Sequence, residues 1–419
     1  KKKFIDSKRF DVSSSLIKNR GPDDSKFYRS KNLLSKFYRL SIQDLSKKGM
    51  QPMVYNNRYV LVFNGEIYNF KELANKFNFN LKSKSDTEVL LNLLIKKGKD
   101  TPKYLEGMFS FFFYDEKTKK GLICRDRFGI KPLYFYDHKN FILISSEIKP
   151  ILKYIKDTGL EDKSIIDYFF FSSLDHSDKT FFKNVKSLEP GCIADIINYK
   201  ITVSKYWSIE NTKVKLEKKF SDRIEKVKFL ITNSIKKHLI SDRDIVLSMS
   251  TGTDSTSLAF LMNKYKGSIL NTYTYSFAQK KNEIDSISQI SNYIDISNKE
   301  VRVTHNDFIS NFEKLTSILE SPFTSLRILG QFLLYKKMSL DGYKVAITGD
   351  GGDEMLGGYD YNVPHLIRDK HPKILSKKFM NELEKFSYTK TNSKVKQVKK
   401  MINLLISLSF QHGTTSDGT

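Results

Sequence analysis

Up to about Trp207 the chain alternates apolar and polar positions in short runs. "RYVLVFNGEIYNF" at 58–70 predicts a strand, an Asn-Gly turn and a second strand, because Asn-Gly between apolar runs is a strong hairpin signal. "MFSFFFYDEKTKKGLICRDRFG" at 108–129 predicts two strands joined by a polar turn, and "PLYFYDHKNFILISSEI" at 132–148 repeats the pattern. "TEVLLNLLIKKG" at 87–98 has helical spacing instead. Antiparallel strands with a few helices predict a layered α+β domain.

The pattern then changes. From Phe220 to Ile240, Ile224, Val227, Ile231, Ile235 and Leu239 recur at helical spacing, with Ser221-Asp222 at the N-terminus. An apolar strand follows at Ile245–Leu247, then a polar loop and a helix. "LNTYTYSF" at 270–277, "KEVRVT" at 299–304 and "YKVAITGD" at 343–350 predict strands; "EIDSISQISNYID" at 283–295 and "ILGQFLLYKKM" at 328–338 predict helices. Strands alternating with helices predict a parallel α/β sheet, which binds ligands at the carboxyl ends of its strands. Two loops fall there: "STGTDS" at 250–255 and "TGDGGDE" at 348–354. "KVKQVKKMINLLISLSF" at 394–410 predicts a further helix.

Composition bounds the picture. A chain of 419 residues exceeds one ordinary core, so two domains are expected. The residues are 39% hydrophobic with no apolar run long enough for a bilayer, which predicts a soluble protein without a membrane partner. Two cysteines far apart and seven scattered histidines give no zinc spacing and no histidine metal site, and predict a reducing cytoplasmic setting. The net charge of +24 is spread as dispersed lysines, so it reads as a compositional bias that attracts small anions rather than a nucleic-acid surface. The first residues lack the pattern of a signal peptide and an initiating methionine, which predicts a processed chain or a fragment.

The chemistry concentrates in three places. The 250–255 turn leads from a strand into a helix start, where backbone N–H groups and hydroxyls can cradle an anion. It lacks a Walker lysine, and Asp254 suits a phosphate only through a magnesium ion; the alternative is an ordinary βα turn with polar caps. Gly349-Asp350-Gly351-Gly352-Asp353-Glu354 combines acids with glycines that let a ligand approach the backbone, against the alternative of a flexible turn with solvated acids. Acids at two strand ends of one sheet could share a metal-triphosphate. Asn64-Gly65, by its residues alone, is a hairpin.

In order along most of the chain, "NRGPDD" at 19–24, "YRLSIQD" at 38–44, "NGEIYNFKEL" at 64–73, "SDTEVLL" at 85–91, "LEGMFSFFFYD" at 105–115, "RDRFGIKPLYF" at 125–135, the 250–255 loop and "GDGGDEMLGGY" at 349–359 resemble the glutamine-hydrolysing asparagine synthetases. The resemblance implies an α+β N-terminal-nucleophile glutaminase sandwich at 1–205, followed by an α/β parallel-sheet ATP-pyrophosphatase domain at 206–419. It implies that Arg39 pairs with the glutamine carboxylate, Asp86 holds its ammonium, and Asn64 with the Gly65 N–H forms an oxyanion hole. In the second domain it implies that ATP activates a carboxylate as an acyl-adenylate, which ammonia then attacks. Asp254 and Asp353 would bind magnesium pyrophosphate; Ser250, Gly252 and Ser255 would line the phosphates; Leu247, Thr348 and Gly349 would sit near the nucleoside; Asp350 would stand by the reacting carboxylate. The partners implied are glutamine, ATP and aspartate, or another carboxylate such as a sugar acid. A homodimer stays open as the assembly. A tRNA-modifying enzyme and an inactive remnant are the rival readings.

Three departures from the family pattern matter. The family's Met-Cys-Gly-Ile start has no counterpart at Lys1; Cys124, in a strand-like run, and Cys192, in a turn, read as packing residues and cannot supply a terminal amine, so this chain is expected not to hydrolyse glutamine by itself. Truncation and natural loss both explain this, and retention of Arg39, Asn64, Gly65 and Asp86 favours truncation. The region after "GGY" is expected to be clipped, with the lysines at 390–400 on a solvated helix face. Thr251 replaces the first glycine of S-G-G-x-D-S; a β-branched residue disfavours positive φ, so either this position has ordinary dihedrals or the loop has shifted.

Overall fold

The computed structural model describes residues 6–157, 159–212, 214–277, 282–323 and 325–359. The chain divides into two compact units, Lys1–Thr348 and Gly349–Thr419. The first unit begins with α1 (Ser7–Ser14), β1 (Asp24–Arg29), β2 (Leu34–Arg39), β3 (Met53–Tyr55), β4 (Tyr59–Ile67), α2 (Phe70–Phe77), α3 (Asp86–Lys97), β5 (Gly107–Asp115) and β6 (Lys120–Arg125). It goes on with β7 (Tyr134–His138), β8 (Phe141–Ser145), α4 (Lys149–Ile155), α5 (Asp162–Phe171), β9 (Lys186–Ser187), β10 (Cys192–Ile197) and β11 (Lys200–Lys205). Then come α6 (Phe220–His238), β12 (Ile245–Ser248), α7 (Thr253–Lys266), β13 (Leu270–Phe277), α8 (Asn282–Ser291), β14 (Ile296–Val303), α9 (His305–Leu319), α10 (Arg327–Leu340) and β15 (Val345–Ile347). The second unit contributes α11 (Gly352–Leu356).

The strands before α6 form an antiparallel sheet in the order β11-β10-β6-β5-β4-β3, a three-stranded sheet β8-β7-β9 and the hairpin β1-β2. Both faces of β5 are largely buried, which explains its nearly unbroken aromatic run. Phe109 and Phe111 pack with Leu61 and Phe63 of β4 and with Leu90 and Leu94 of α3. Each such side chain contributes roughly 1.5–3 kcal/mol by leaving water. The start of α3 is set by Ser85, whose side chain accepts from the Thr87 N–H, and its end by Gly98. After β11, Trp207, the only tryptophan of the chain, meets Phe128 edge to face at 5.2 Å.

The strands after α6 form the expected parallel sheet, in the order β14-β13-β12-β15. Leu247, Met249, Ala259, Met262 and Leu270 make its core on one side. Val246, Tyr273, Leu334 and Met338 form a core in which α10 packs on the sheet. Among the described residues no helix is long and apolar enough to cross a membrane.

Two local readings need correction. Asn64-Gly65 is not a turn: β4 runs unbroken through it, with Asn64 opposite Ser110 and Gly65 opposite Phe109. Gly65 has φ +148°, a mirror-extended conformation that glycine tolerates, so the chain stays in the strand instead of reversing. Cys192 opens β10 rather than sitting in a turn, and it is buried and free, as is Cys124 in β6. Both are packing residues, as expected. The predicted helix at 394–410 and the lysines at 390–400 lie outside the described residues.

Candidate active site

A cavity of about 520 Å³ opens within the first unit, and Arg39, Asn64, Gly65 and Asp86 all line it. Among the elements that meet there, four matter most to the site. Arg39 ends β2, Asn64 and Gly65 lie in β4, Asp86 begins α3, and α4 supplies Pro150, Ile151 and Tyr154 to the wall.

Arg39 is buried, and its guanidinium donates to the backbone carbonyls of Ser46 (2.6 Å) and Asp44. Gly49 packs closely against it, and a Cβ there would stand 2.8 Å from Nη2, so a larger residue would shift the guanidinium. The Asp44 carboxylate accepts from the Lys84 N–H (2.9 Å), which ties the Arg39 loop to the segment leading into α3. The cation is therefore fixed relative to Asp86.

Asp86 accepts from the Ile67 N–H through Oδ2 (2.9 Å). Burial lifts its pKa to about 6, against these hydrogen bonds. Glu66 lines the same cavity, and burial first, then the neighbouring Asp86 charge, push it to about 7. Lys131 is the nearby cation: burial lowers its pKa while Glu66 works to raise it. Glu66 and Lys131 escaped the sequence reading, although "NGEIYNFKEL" and "RDRFGIKPLYF" contain them; only the folded arrangement places them together.

The oxyanion candidates have distinctive geometry. The Asn64 side-chain nitrogen Nδ2 is buried and has no hydrogen-bond partner in the structure. A donor left so is costly unless a ligand or water completes it. A Cβ on Gly65 would fall 2.1 Å from the Met108 carbonyl oxygen, so only glycine permits this approach of β4 to β5. A fixed guanidinium, two carboxyls of raised pKa and one unpaired amide donor match a small zwitterion that carries an amide.

The second predicted site lies between β12 and α7. The Ser250 and Ser255 hydroxyls bond each other (2.9 Å), the Ser250 N–H donates to Ser255 Oγ (3.1 Å), and the Gly252 N–H donates to Ser250 Oγ (3.2 Å). The loop thus holds itself as a tight turn ahead of the helix, with Asp254 in the first turn of α7. Leu247 is buried in β12. Thr251 is not among the described residues of positive φ, and Gly252 has φ −70°, so ordinary dihedrals accommodate the threonine.

The acid-glycine loop follows β15. Thr348 closes the first unit; Gly349, Asp350 and Asp353 belong to the second. Gly351 caps α11 with φ +97°, and Asp353 lies in its first turn. A Cβ on Gly358 would fall 2.0 Å from Asp353 Oδ1, so any larger residue there would displace that carboxylate.

Residues 2–207 match the glutamine amidotransferase domain family, and residues 226–412 match the asparagine synthase family. The chain is 34% identical to a putative asparagine synthetase [glutamine-hydrolyzing] of Methanocaldococcus jannaschii, over 82% of this chain and 71% of that protein. It is 31% identical to an asparagine synthetase [glutamine-hydrolyzing] of Bacillus subtilis, over 82% of this chain and 48% of that protein. It is 29% identical to the amidase chry2 of Gibberella zeae, over 84% of this chain and 55% of that protein. The chain thus spans about half the length of the last two.

Proposed function

The chain belongs to the glutamine-hydrolysing asparagine synthetase family, and on that premise we propose that it carries the glutamine site in the cavity at Asn64 and the ATP site at the Ser250–Ser255 loop. The buried, unpaired Asn64 Nδ2, in one cavity with Arg39 and Asp86, carries this reading. Arg39 takes the glutamine carboxylate bidentately, and Asp86 takes the ammonium. Asn64 and the Gly65 N–H stabilise the oxyanion formed when a nucleophile attacks the side-chain amide. In the family the chain resembles, that nucleophile is an N-terminal cysteine thiol with its own amine as base. Cys124 and Cys192 do not replace it, since burial raises both thiols and both lie within strands.

The ammonia released serves the second reaction. There a carboxylate oxygen of the acceptor attacks the ATP α-phosphorus, pyrophosphate leaves, and ammonia displaces AMP from the acyl-adenylate. Within the first unit, Ser250, Gly252 and Ser255 line the phosphates, and Leu247 and Thr348 the nucleoside. Asp254 would hold magnesium through a hard carboxylate oxygen, and the ion would screen the charge of the ATP phosphates; Asp353, in the second unit, is a separate candidate for the same kind of ligand.

Aspartate is the acceptor we assign. Another carboxylate, such as a sugar acid, is the second reading; one relative carries a name other than asparagine synthetase, amidase chry2. The free, buried Cys124 and Cys192 suit a reducing cytoplasm. A homodimer is the assembly to test first, by light scattering.

The deciding experiment uses a version with a terminal cysteine, assayed for glutamate and pyrophosphate release with a panel of carboxylates. Release with aspartate and formation of asparagine support the assignment. Release only with another acid moves it to the second reading, and neither glutaminase nor pyrophosphate release overturns both.

A further inference from the structure

Helix α4 is one of several places where the cavity wall meets the parallel-sheet region of the first unit; another is the Asp242 N–H, which donates to the carbonyl of the cavity residue Ile42 (3.1 Å). Helix α4 forms part of the wall through Pro150, Ile151 and Tyr154, yet its N-terminus carries no cap of its own: Ile148 stands at the N-cap position. The cap comes from Glu320, far along the chain. One carboxylate accepts from the Ile148 N–H through Oε2 (2.6 Å) and from the Lys149 N–H through Oε1 (2.7 Å). The Lys149 ammonium donates in turn to the Ser317 carbonyl (3.2 Å) and lies 2.8 Å from Glu147, which accepts from the cavity residue Arg20 (3.1 Å).

Glu320 departs from local preference twice. It is the C-cap of α9 with φ +57°, where glycine or asparagine would be favoured, and its side chain is 9% exposed. Residues that break local rules are held by a tertiary requirement. Here the requirement is visible: α9 shares a core with α10 and β14 through Leu315, Leu329 and Val303, and β14 belongs to the sheet whose β12 leads into the Ser250–Ser255 loop.

We propose that Glu320 is a positioning residue that sets the cavity wall from the parallel sheet, so that glutamine affinity in the cavity depends on its two hydrogen bonds to α4. This rests on the reading of the cavity as a glutamine site. The test compares the full chain with Glu320→Gly and Glu320→Gln. Glycine removes the carboxylate while suiting the left-handed backbone, and glutamine keeps one acceptor oxygen at nearly constant volume. Hydrogen exchange at the Ile148 and Lys149 amides is read alongside the glutamine dissociation constant from calorimetry. We expect exchange at these amides about tenfold faster in the glycine variant. Glutamine binding should weaken about three- to tenfold, less in the glutamine variant, with exchange over 250–255 unchanged. Faster exchange with unaltered glutamine affinity overturns the proposal and leaves Glu320 a structural cap; unaltered exchange overturns it too. If the unsubstituted chain binds no glutamine, the functional reading itself has failed, and that outcome is distinct from either.

Discussion

Replacing Asp86 by Asn should give a protein that is more stable at neutral pH and has lost its hold on a substrate ammonium. Burial places the Asp86 pKa at about 6 instead of its ordinary 3.8. The folded state therefore favours the neutral carboxyl. The cost of ionising it is absent below about pH 4, grows between about pH 4 and 6, and is complete above that. A rise from 3.8 to about 6 corresponds to a cost on the order of 3 kcal/mol. Asn keeps the shape, and its Oδ1 can still accept from the Ile67 N–H, but it loses the stronger bonds a carboxylate makes. The net gain at about pH 8 is then about 1–2 kcal/mol, or on the order of 3–6 °C in melting temperature. Glu66 should also titrate lower once the neighbouring charge is gone. Melts followed by circular dichroism from about pH 4 to pH 8 would show the variant's advantage opening as pH rises, and calorimetry would show glutamine binding weakened by about a hundredfold or more. An advantage of equal size at every pH, a variant less stable at pH 8, or glutamine affinity retained would refute the reasoning.

Gly65→Ala places a Cβ 2.1 Å from the Met108 carbonyl in a backbone conformation alanine avoids, so it should cost more than about 3 kcal/mol, seen as a lowered melting temperature or insoluble protein. In a version with a terminal cysteine, Asn64→Ala should lower glutaminase kcat by about 100- to 1,000-fold. Its melting temperature should hold or rise, because a buried amide donor without a partner is removed. Thr251→Gly should not tighten ATP binding, since the position needs no positive φ; the added chain freedom should cost about 0.5–1 kcal/mol, and a titration showing tenfold tighter binding would contradict this.

The sequence was most legible where periodicity alone decides. The strands β5 to β8, helix α3 and the strand β13 follow from apolar spacing, as does the parallel sheet from its alternation with helices. Asn64-Gly65 shows the limit of that method. Locally it is a hairpin signal; globally the pairing of β4 with β5 absorbs it, at a close approach that no local rule anticipates. Helix α9 went unread although its start is signalled: Thr304 and Asp307 form a capping box. Arg39, Asn64, Gly65 and Asp86 came from motif resemblance, and the fold brings all four to one cavity. Glu66, Lys131 and Glu320 depend on long-range neighbours, so spacing could not assign them.

The edge-to-face contact of Trp207 with Phe128 has a practical optical consequence. With a single indole in the chain, at the end of the amidotransferase match, tryptophan emission reports the strand-rich first half and is blind to the parallel sheet. A fluorescence melt will therefore describe one portion of the molecule. Agreement between that signal and the ellipticity of the whole chain would be a direct measure of whether glutaminase-like and synthetase-like cores unfold as one.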